Sequence, residues 1–323
     1  MSDISISTDG REPLSAFRDK LGAAEQGGAR AAWIANHLFQ RDPVSLAAMA
    51  LASTRRMRVA LMAVSPFTVH PVQAAMAAAT LDELFPGRVT LCLGAGAPAD
   101  LRSVGIDAAR PLWAMREALA IVRALLDGET VAVAGETFRA QGRRLAGGRR
   151  GVPVMLAASG PQMLDLAGSA ADGVLISAGA SVEFLRWTLD GVRRAAAGRT
   201  VRCCGLVYGS VDADESRAHD RLRRSLAILL RGAHHERNLQ LAGSSLDRAA
   251  LDRAVVAEDW AAAAALVTDD VVRRHAASGT PEQVEERFAA YHAAGLDEIV
   301  LAGVGDGEQV ARLVQLERRQ GTR

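Results

Sequence analysis

The chain alternates short apolar runs with amphipathic stretches eight times, and this alternation constrains the fold more than any other feature. Short apolar runs are typical of buried parallel strands, and apolar residues at helical spacing, as in Pro111–Leu126, predict helices between them. Eight such units predict an α/β fold, a closed (β/α)8 barrel, with an open doubly wound sheet as the alternative. The G-x-G-x-x-G sequence that follows the first strand of dinucleotide-binding sheets is absent, which favours the barrel. The predicted strands are Ile4–Ser7, Ala31–Ala35, Arg58–Val64, Val89–Leu93, Pro153–Ala157, Gly173–Ile176, Val201–Tyr208 and Glu298–Ala302.

The 323 residues are interpreted as one barrel domain, 1–323. The mainly helical segment between the seventh and eighth strands, Asp214–Ala294, is too long for a single crossover helix. We therefore predict an insertion at about residues 210–279, followed by the seventh helix. A surface hairpin is predicted over Val131–Leu145.

The fourth predicted strand, Val89–Leu93, ends abruptly in small residues. Gly94, Ala95 and Gly96 remove the side chains where the backbone would pass close to a ligand. Since ligands of parallel α/β proteins bind at the carboxyl ends of the strands, this stretch predicts contact with a flat cofactor. The alternative is that the glycines only turn the chain into the next helix.

Three other strand ends carry candidate site residues. Asn36 and His37 follow the second strand, and His37 is either a proton donor or a structural histidine. The Ala158-Ser159-Gly160 turn leads into a helix whose free amides predict a phosphate site, or else Ser159 is a simple cap. The remaining candidates at strand ends are Ala63, Val64, Ser65, Phe67, His70, Ser177, Ala178 and Gly179.

Composition excludes several classes of function. The formal charge of +1 gives no general attraction to nucleic acid or to anionic membranes. The basic cluster Arg143, Arg144, Arg149 and Arg150 is predicted to be a solvated loop. No uninterrupted apolar stretch reaches the length of a membrane span, and Met1–Ser5 lacks the character of a signal peptide. Three cysteines without metal-ligand spacing predict a reducing, cytoplasmic location and no metal.

Five segments in the same order resemble the bacterial luciferase-like superfamily of flavin- and deazaflavin-dependent barrel oxidoreductases. The matching segments are Trp33–Asp42, Pro66–Pro71, Leu81–Gly96, Arg110–Gly128 and Gly151–Ile176. The His-Pro pair and the Ala-Ala-Ser-Gly-Pro turn are most similar to the deazaflavin-dependent group around methylenetetrahydromethanopterin reductase, which includes relatives in natural-product pathways. The resemblance implies coenzyme F420 as the cofactor, with FMN as the alternative.

The resemblance also assigns roles to residues. Gly94–Gly96 would lie beside the ring or its ribityl chain, and Ala158, Ser159 and Gly160 would hold the phosphate. Ser177, Ala178 and Gly179 would complete the wall. His37 would face the ring as the catalytic residue, with Phe67 near the substrate. The cofactor site would also include Asn36, Ala63, Val64, Ser65, His70 and Ala95.

Three further features follow from the family pattern. The resemblance implies a bulged, non-prolyl cis peptide near Met62–Val64. Close deazaflavin relatives often carry an acid in strand one and an arginine before His-Pro, whereas this chain has Ile4–Thr8 without a carboxylate and Val69 at the arginine's place. A homodimer is expected largely from the resemblance.

The first hypothesis is therefore an F420-dependent reductase or dehydrogenase acting on a small organic substrate. An FMN-dependent monooxygenase of the same fold is the second. The third is a cofactor-free barrel that acts as a binding or structural partner.

Overall fold

Parallel strands form the centre of the molecule in the computed structural model, which describes residues 3–320. The strands are β1 Asp3–Thr8, β2 Ala31–Ala35, β3 Arg58–Val64, β4 Val89–Leu93, β5 Val131–Ala134, β6 Arg139–Arg143, β7 Val154–Ala157, β8 Gly173–Ile176, β9 Arg202–Val211, β10 Ala277–Gly279 and β11 Glu298–Ala302. Eight of them, β1, β2, β3, β4, β7, β8, β9 and β11, pair in parallel in that order. The pairing of β11 with β1 closes the ring, so the predicted (β/α)8 barrel is confirmed.

Helices surround the barrel, and prolines define where many of them begin. The helices are α1 Leu14–Gly27, α2 Pro43–Ser53, α3 Pro71–Leu84, α4 Pro98–Ser103, α5 Pro111–Leu126, α6 Pro161–Ala170, α7 Val182–Ala196, α8 Glu215–Leu230, α9 Glu236–Ala242, α10 Arg248–Val256, α11 Trp260–Leu266, α12 Asp269–His275, α13 Pro281–Ala294 and α14 Gly307–Gln320. Helices α2 to α6 and α13 have a proline in their first turn. Proline fits there because the first helical N–H has no intrahelical partner and the ring already fixes φ near the helical value.

Two apolar layers hold the barrel. The larger lies between strands and helices and includes Leu61, Leu91 and Leu156, which point outward. The smaller fills the barrel interior with Trp33, Met155 and other inward-facing side chains. Several of its members are alanine or cysteine. Their small side chains leave room for a cavity at the carboxyl ends of the strands.

The strand β3 differs from what the resemblance implied. Its register against β4 shifts between Leu61 and Val64, so the bulge is present. Every peptide bond of residues 3–320 is trans, however, so the expectation of a cis peptide near Met62–Val64 is wrong. The bulge therefore accommodates its extra residue with trans peptide bonds.

The region between β9 and β11 carries helices α8 to α13. Helices α8 to α12 build a separate apolar cluster around Leu226, Leu251 and Val272. The short strand β10 pairs in parallel with the end of β9, and it was not predicted because Ala-Ser-Gly has no strand-like pattern. The hairpin of β5 and β6 is antiparallel and lies within the range 131–145 in which a surface hairpin was predicted. Across residues 3–320, no helix combines the length and the apolar character that a membrane span requires.

Candidate active site

A cavity of about 590 Å³ opens at the carboxyl ends of the barrel strands. We call it the mouth cavity. Its volume lies within the range of small-molecule and cofactor sites, roughly 300–1,000 Å³. The floor is apolar, formed by Met62, Leu175 and Leu206, and the rim adds polar groups from several loops. Ligands of (β/α)8 barrels bind at this end, since the βα loops converge there.

Small residues at the end of β4 let three strands approach one another below the mouth cavity. A Cβ on Gly94 would lie 2.8 Å from the Cβ of Ala63 and 3.3 Å from that of Ala157. Gly96 has φ +84°, a left-handed conformation that glycine adopts without strain. The Ser65 hydroxyl donates to the Ala95 carbonyl oxygen at 3.1 Å and fixes this loop. Backbone and methyl groups therefore form the surface at this point.

Most of the residues predicted from the sequence line the mouth cavity. They come from five different strand ends, which the sequence separates by up to about 140 positions. The residues are Asn36, His37, Ala63, Ser65, Gly94, Ala95, Gly96, Ala158, Ser159 and Ser177. His37 is exposed on the rim, and Asn36 is half-buried beside it.

The other predicted residues lie outside the cavity lining. Val64 is buried in the layer between strands and helices. His70 is the N-cap of α3, where its Nδ1 accepts from the Val72 N–H at 3.2 Å. Phe67 and His70 both contact the ring of Phe138, with centroids 6.4 and 5.6 Å apart. These contacts hold the loop after β3 against the β5–β6 hairpin.

The turn after β7 presents a helix N-terminus to the mouth cavity. Ser159 lines the cavity, and Gly160 is the exposed N-cap of α6, with open space where a Cβ would stand. No side chain caps the first turn of α6, so its amides remain available to an anion. Ala158, which precedes Ser159, is fixed by a hydrogen bond from its N–H to the Leu175 carbonyl oxygen at 3.1 Å.

Two carboxyl groups after β1 were missed by sequence reasoning. Asp9 and Glu12 influence each other electrostatically, and the charge of His37 also acts on Asp9. Burial opposes ionisation of Asp9, but the N–H of Arg11, the Glu12 carboxyl and nearby charges hold its pKa below the ordinary value. The pKa of Glu12 is raised by burial, with Lys20 opposing and Asp9 adding to the rise.

This pair supplies acid groups that β1 itself lacks at its carboxyl end. The only carboxylate within β1, Asp3, lies at the other end of the strand and pairs with Arg30 and Arg202. The signal in the sequence was Asp-Gly-Arg-Glu directly after an apolar strand. That position is where barrel enzymes carry functional side chains.

The insertion forms part of the mouth-cavity wall. His234 lines the cavity, and its pKa is lowered by burial and by the charge of Arg248. Gly179 lies behind the wall with φ +73°, and a Cβ there would stand 2.7 Å from Leu229 of α8. Ala178 is buried beside it. Asp100 of α4 is a further ionisable residue of the lining.

Thiol and metal chemistry receive no support from the described residues. Cys92, Cys203 and Cys204 are all buried, and burial raises the pKa of each thiol, that of Cys203 to about 11. Buried, protonated thiols are poor nucleophiles. Over residues 3–320 there is no group of three or more His, Cys, Asp or Glu side chains arranged to hold a metal ion.

Known proteins resemble this chain in sequence and in structure. The 5,10-methylenetetrahydromethanopterin reductase of Archaeoglobus fulgidus is 32% identical over 305 residues, which cover 91% of this chain and 90% of that protein. The structure of the coenzyme F420-dependent tetrahydromethanopterin reductase from Methanopyrus kandleri superposes with a TM-score of 0.88 at 21% identity, with 99% of each chain covered. An F420-dependent secondary alcohol dehydrogenase, solved with an F420–acetone adduct, has a TM-score of 0.81 at 19% identity, with 98% of each chain covered.

The model of one protein family spans most of the sequence. It is described as luciferase-like monooxygenase and matches residues 2–298. The sequence similarity to the Archaeoglobus reductase and the barrel fold are both consistent with this match. The chain therefore belongs to the luciferase-like monooxygenase family of barrel oxidoreductases.

Proposed function

We propose that this chain is an F420-dependent oxidoreductase that transfers hydride between the deazaflavin and a small organic substrate. The observation that carries the proposal is the mouth cavity, whose lining is largely apolar and has few ionisable groups. Its His, Asp, Ser and Thr side chains can bind ligands and move protons, but none of them accepts an electron pair as hydride. A bound cofactor is suited to supply that chemistry. The names of the similar reductase and dehydrogenase favour F420 over other carriers.

The residues present fit such a cofactor. The close approach of Ala63, Gly94 and Ala157 gives a surface of backbone and methyl groups against which a ring can lie. Ser159 and the uncapped first turn of α6 can hold a phosphate. Ser177 lines the wall on the neighbouring strand end. When bound, the deazaflavin supplies a ring carbon, C5, that carries hydride and reacts poorly with oxygen.

The protein's own groups would manage substrate binding and protons. His37 stands on the rim, where a substrate stacked over the cofactor can reach its imidazole. Asp9 and Glu12 influence each other, and the pKa of Asp9 is lowered while that of Glu12 is raised, so Glu12 is the more readily protonated of the two. Met62, Leu175 and Leu206 exclude water from the floor. We propose His37 as the proton-transfer residue, with the carboxyl pair as its reservoir.

The test is a single-turnover reaction with reduced F420. Electrophilic C=C and C=N compounds are offered in an anaerobic stopped-flow experiment, and F420 oxidation is followed by absorbance. Oxidation that requires both protein and substrate supports the proposal. His37→Gln should slow it by about 10²-fold or more while F420 binding persists.

An FMN-dependent monooxygenase is the second candidate, since the matching family model is described as luciferase-like monooxygenase. Oxygen consumption separates the two. A monooxygenase consumes oxygen with reduced FMN and substrate, whereas a deazaflavin enzyme does not. A folded chain that binds neither cofactor would support the third hypothesis, a cofactor-free barrel.

We also propose a homodimer formed through the outer face of α3 and α5. Met76, Leu84 and Trp113 on these adjacent helices are all more than half exposed, although each is a large apolar side chain. Exposed apolar patches often mark interfaces. Sedimentation of the wild-type chain and of Met76→Lys tests this, with a shift toward monomer expected in the variant.

A further inference from the structure

The closed end of the barrel is ringed by charged side chains. Inward-facing positions at the amino ends of the strands carry Asp3, Arg58, Arg202 and Glu298, and Arg30 directly precedes β2. A cavity of about 80 Å³ lies among them. We call it the amino-end cavity. It is at the opposite end of the strands from the mouth cavity, and none of the residues assigned to the cofactor lines it.

Two of the three arginines are neutralised by acids. Glu298 accepts hydrogen bonds from the Ser5 hydroxyl at 2.6 Å and the Trp33 indole at 2.9 Å. Its other oxygen accepts two bonds from Arg202, at 2.8 and 3.0 Å. Asp3 bridges Arg202 and Arg30, with 3.1 Å between its carboxylate and the Arg30 guanidinium. The acids of this cluster are therefore already engaged.

Arg58 is the remaining cation. Its side chain is half-buried and lines the amino-end cavity, and within residues 3–320 no hydrogen bond or ion pair joins its guanidinium to another group. Burial and the charges of Arg30 and Arg202 lower its pKa, against the attraction of Glu298 and Asp82.

The acids near Arg58 do not neutralise it. Asp172 lines the same cavity but is bonded to Arg123 at 2.9 Å and to the Val154 N–H at 2.8 Å. Asp82 lies outside the lining and accepts from the Gly87 N–H. The charge of Asp82 acts on Arg58 without forming an ion pair, so no acid of the described residues bonds directly to the Arg58 guanidinium. A guanidinium that is partly desolvated and unpaired is costly to a fold.

We propose that the amino-end cavity binds a small monovalent inorganic anion, with chloride as the type case, and that Arg58 is its ligand. A volume of about 80 Å³ admits an ion of this size and excludes nucleotides and other large anions. The walls contributed by Ala31, Ala60 and Met155 are apolar and suit a weakly hydrated ion. The bound ion compensates the charge of Arg58 and stabilises the closed end of the barrel. A site that binds only the folded state raises the unfolding temperature with ligand concentration.

Thermal unfolding in sodium chloride tests the site. Chloride is exchanged for gluconate, which is too large for the cavity, at constant ionic strength. The wild-type chain should show a saturable rise in Tm with chloride. Arg58→Gln should weaken the apparent chloride affinity by about tenfold or more. In gluconate alone this variant should unfold at the wild-type temperature or above it, because it removes an unpaired charge.

Arg56→Gln is the matched control, since it makes the same charge change on an exposed side chain two residues away. It should retain the wild-type chloride response. An equal response in Arg58→Gln, or no chloride-specific response in the wild type, would overturn the proposal. If Arg58→Gln does not fold, wild-type crystals grown in bromide decide the question. An anomalous peak beside the Arg58 guanidinium supports the site, and its absence from the cavity refutes it.

Discussion

The side-chain amide of Asn238 donates a hydrogen bond to the Gly179 carbonyl oxygen at 2.7 Å, although the two residues lie 59 positions apart. Its Oδ1 accepts from the Ser181 N–H at 2.9 Å, so one buried side chain binds the loop after β8 at two points. His275 approaches the same Gly179 oxygen with its Nδ1 at 2.8 Å. The insertion therefore fixes the shape of a loop at the mouth-cavity wall.

Replacing Asn238 should loosen this wall. In Asn238→Leu the Ser181 N–H loses its acceptor while the fold keeps its apolar contacts. We expect about tenfold weaker F420 binding, since a lost buried hydrogen bond costs about 1–3 kcal/mol. Fluorescence titration measures the effect. Gln240→Leu, on the exposed side of the same helix, is the control and should bind as wild type. Equal affinity in both variants would contradict a role for Asn238.

Adding a methyl group at Gly94 should disturb the floor of the site. The new Cβ in Gly94→Ala would stand 2.8 Å from Ala63, so the two strands must move apart. Overpacking of this kind costs about 1–3 kcal/mol. We expect a lower Tm and weaker cofactor binding, measured by thermal shift with and without F420. Gly151→Ala has open space and should change neither quantity.

The Glu12 carboxyl, whose pKa is raised, should matter to turnover and not to cofactor affinity. Glu12→Gln keeps the size of the side chain but removes the titrating group. We expect kcat to fall by about 10²-fold and the F420 Kd to stay unchanged. Asp19→Asn, on the exposed face of α1, is the control. Unchanged kcat in Glu12→Gln would remove the carboxyl pair from the mechanism.

Two buried histidines should make the protein acid-sensitive. Burial lowers the pKa of His275 to about 4 and that of His235 to about 3, from an ordinary value of 6.5. Both groups are neutral when folded and take up protons on unfolding, so their stabilising effect is complete above pH 6.5. It is lost as the pH falls from 6.5 toward 4, at roughly 1.4 kcal/mol per pH unit for each histidine.

Urea unfolding between pH 4.5 and 8 measures this dependence. Below pH 6.5, the unfolding free energy of His275→Gln should fall less steeply with decreasing pH, by the equivalent of roughly one proton. The substitution should also lower the stability at pH 8, because the bonds of His275 to Gly179 and Ser244 are lost. If the unfolding free energy below pH 6.5 depends on pH as steeply as in the wild type, the pKa of His275 does not differ between the folded and unfolded states.

Local sequence signals were sufficient for most of the barrel. Strands such as Arg58–Val64 and Glu298–Ala302 have the predicted bounds because continuous apolar runs end at polar or small residues. Helices α2, α3 and α5 begin at the predicted prolines. The short helix α4 and the strand β10 were missed. Each has too few residues to show a period.

The candidate site was only partly predictable, for a different reason. Glycine and serine at strand ends can be read from the sequence, since barrel topology brings all strand ends together. The contributions of Asn238 and His234 depend on how the insertion packs on the barrel, and no local pattern encodes that packing. His70 could be placed after β3, but whether it turns into the cavity or caps α3 is decided by its contact with Phe138.

Binding of oxidised F420 and of FMN to the purified chain tests the central claim most directly. Each cofactor is titrated separately and followed by fluorescence and thermal shift. The account predicts micromolar F420 binding, with FMN binding much weaker. Preference for FMN, or a folded chain that binds neither, would contradict it.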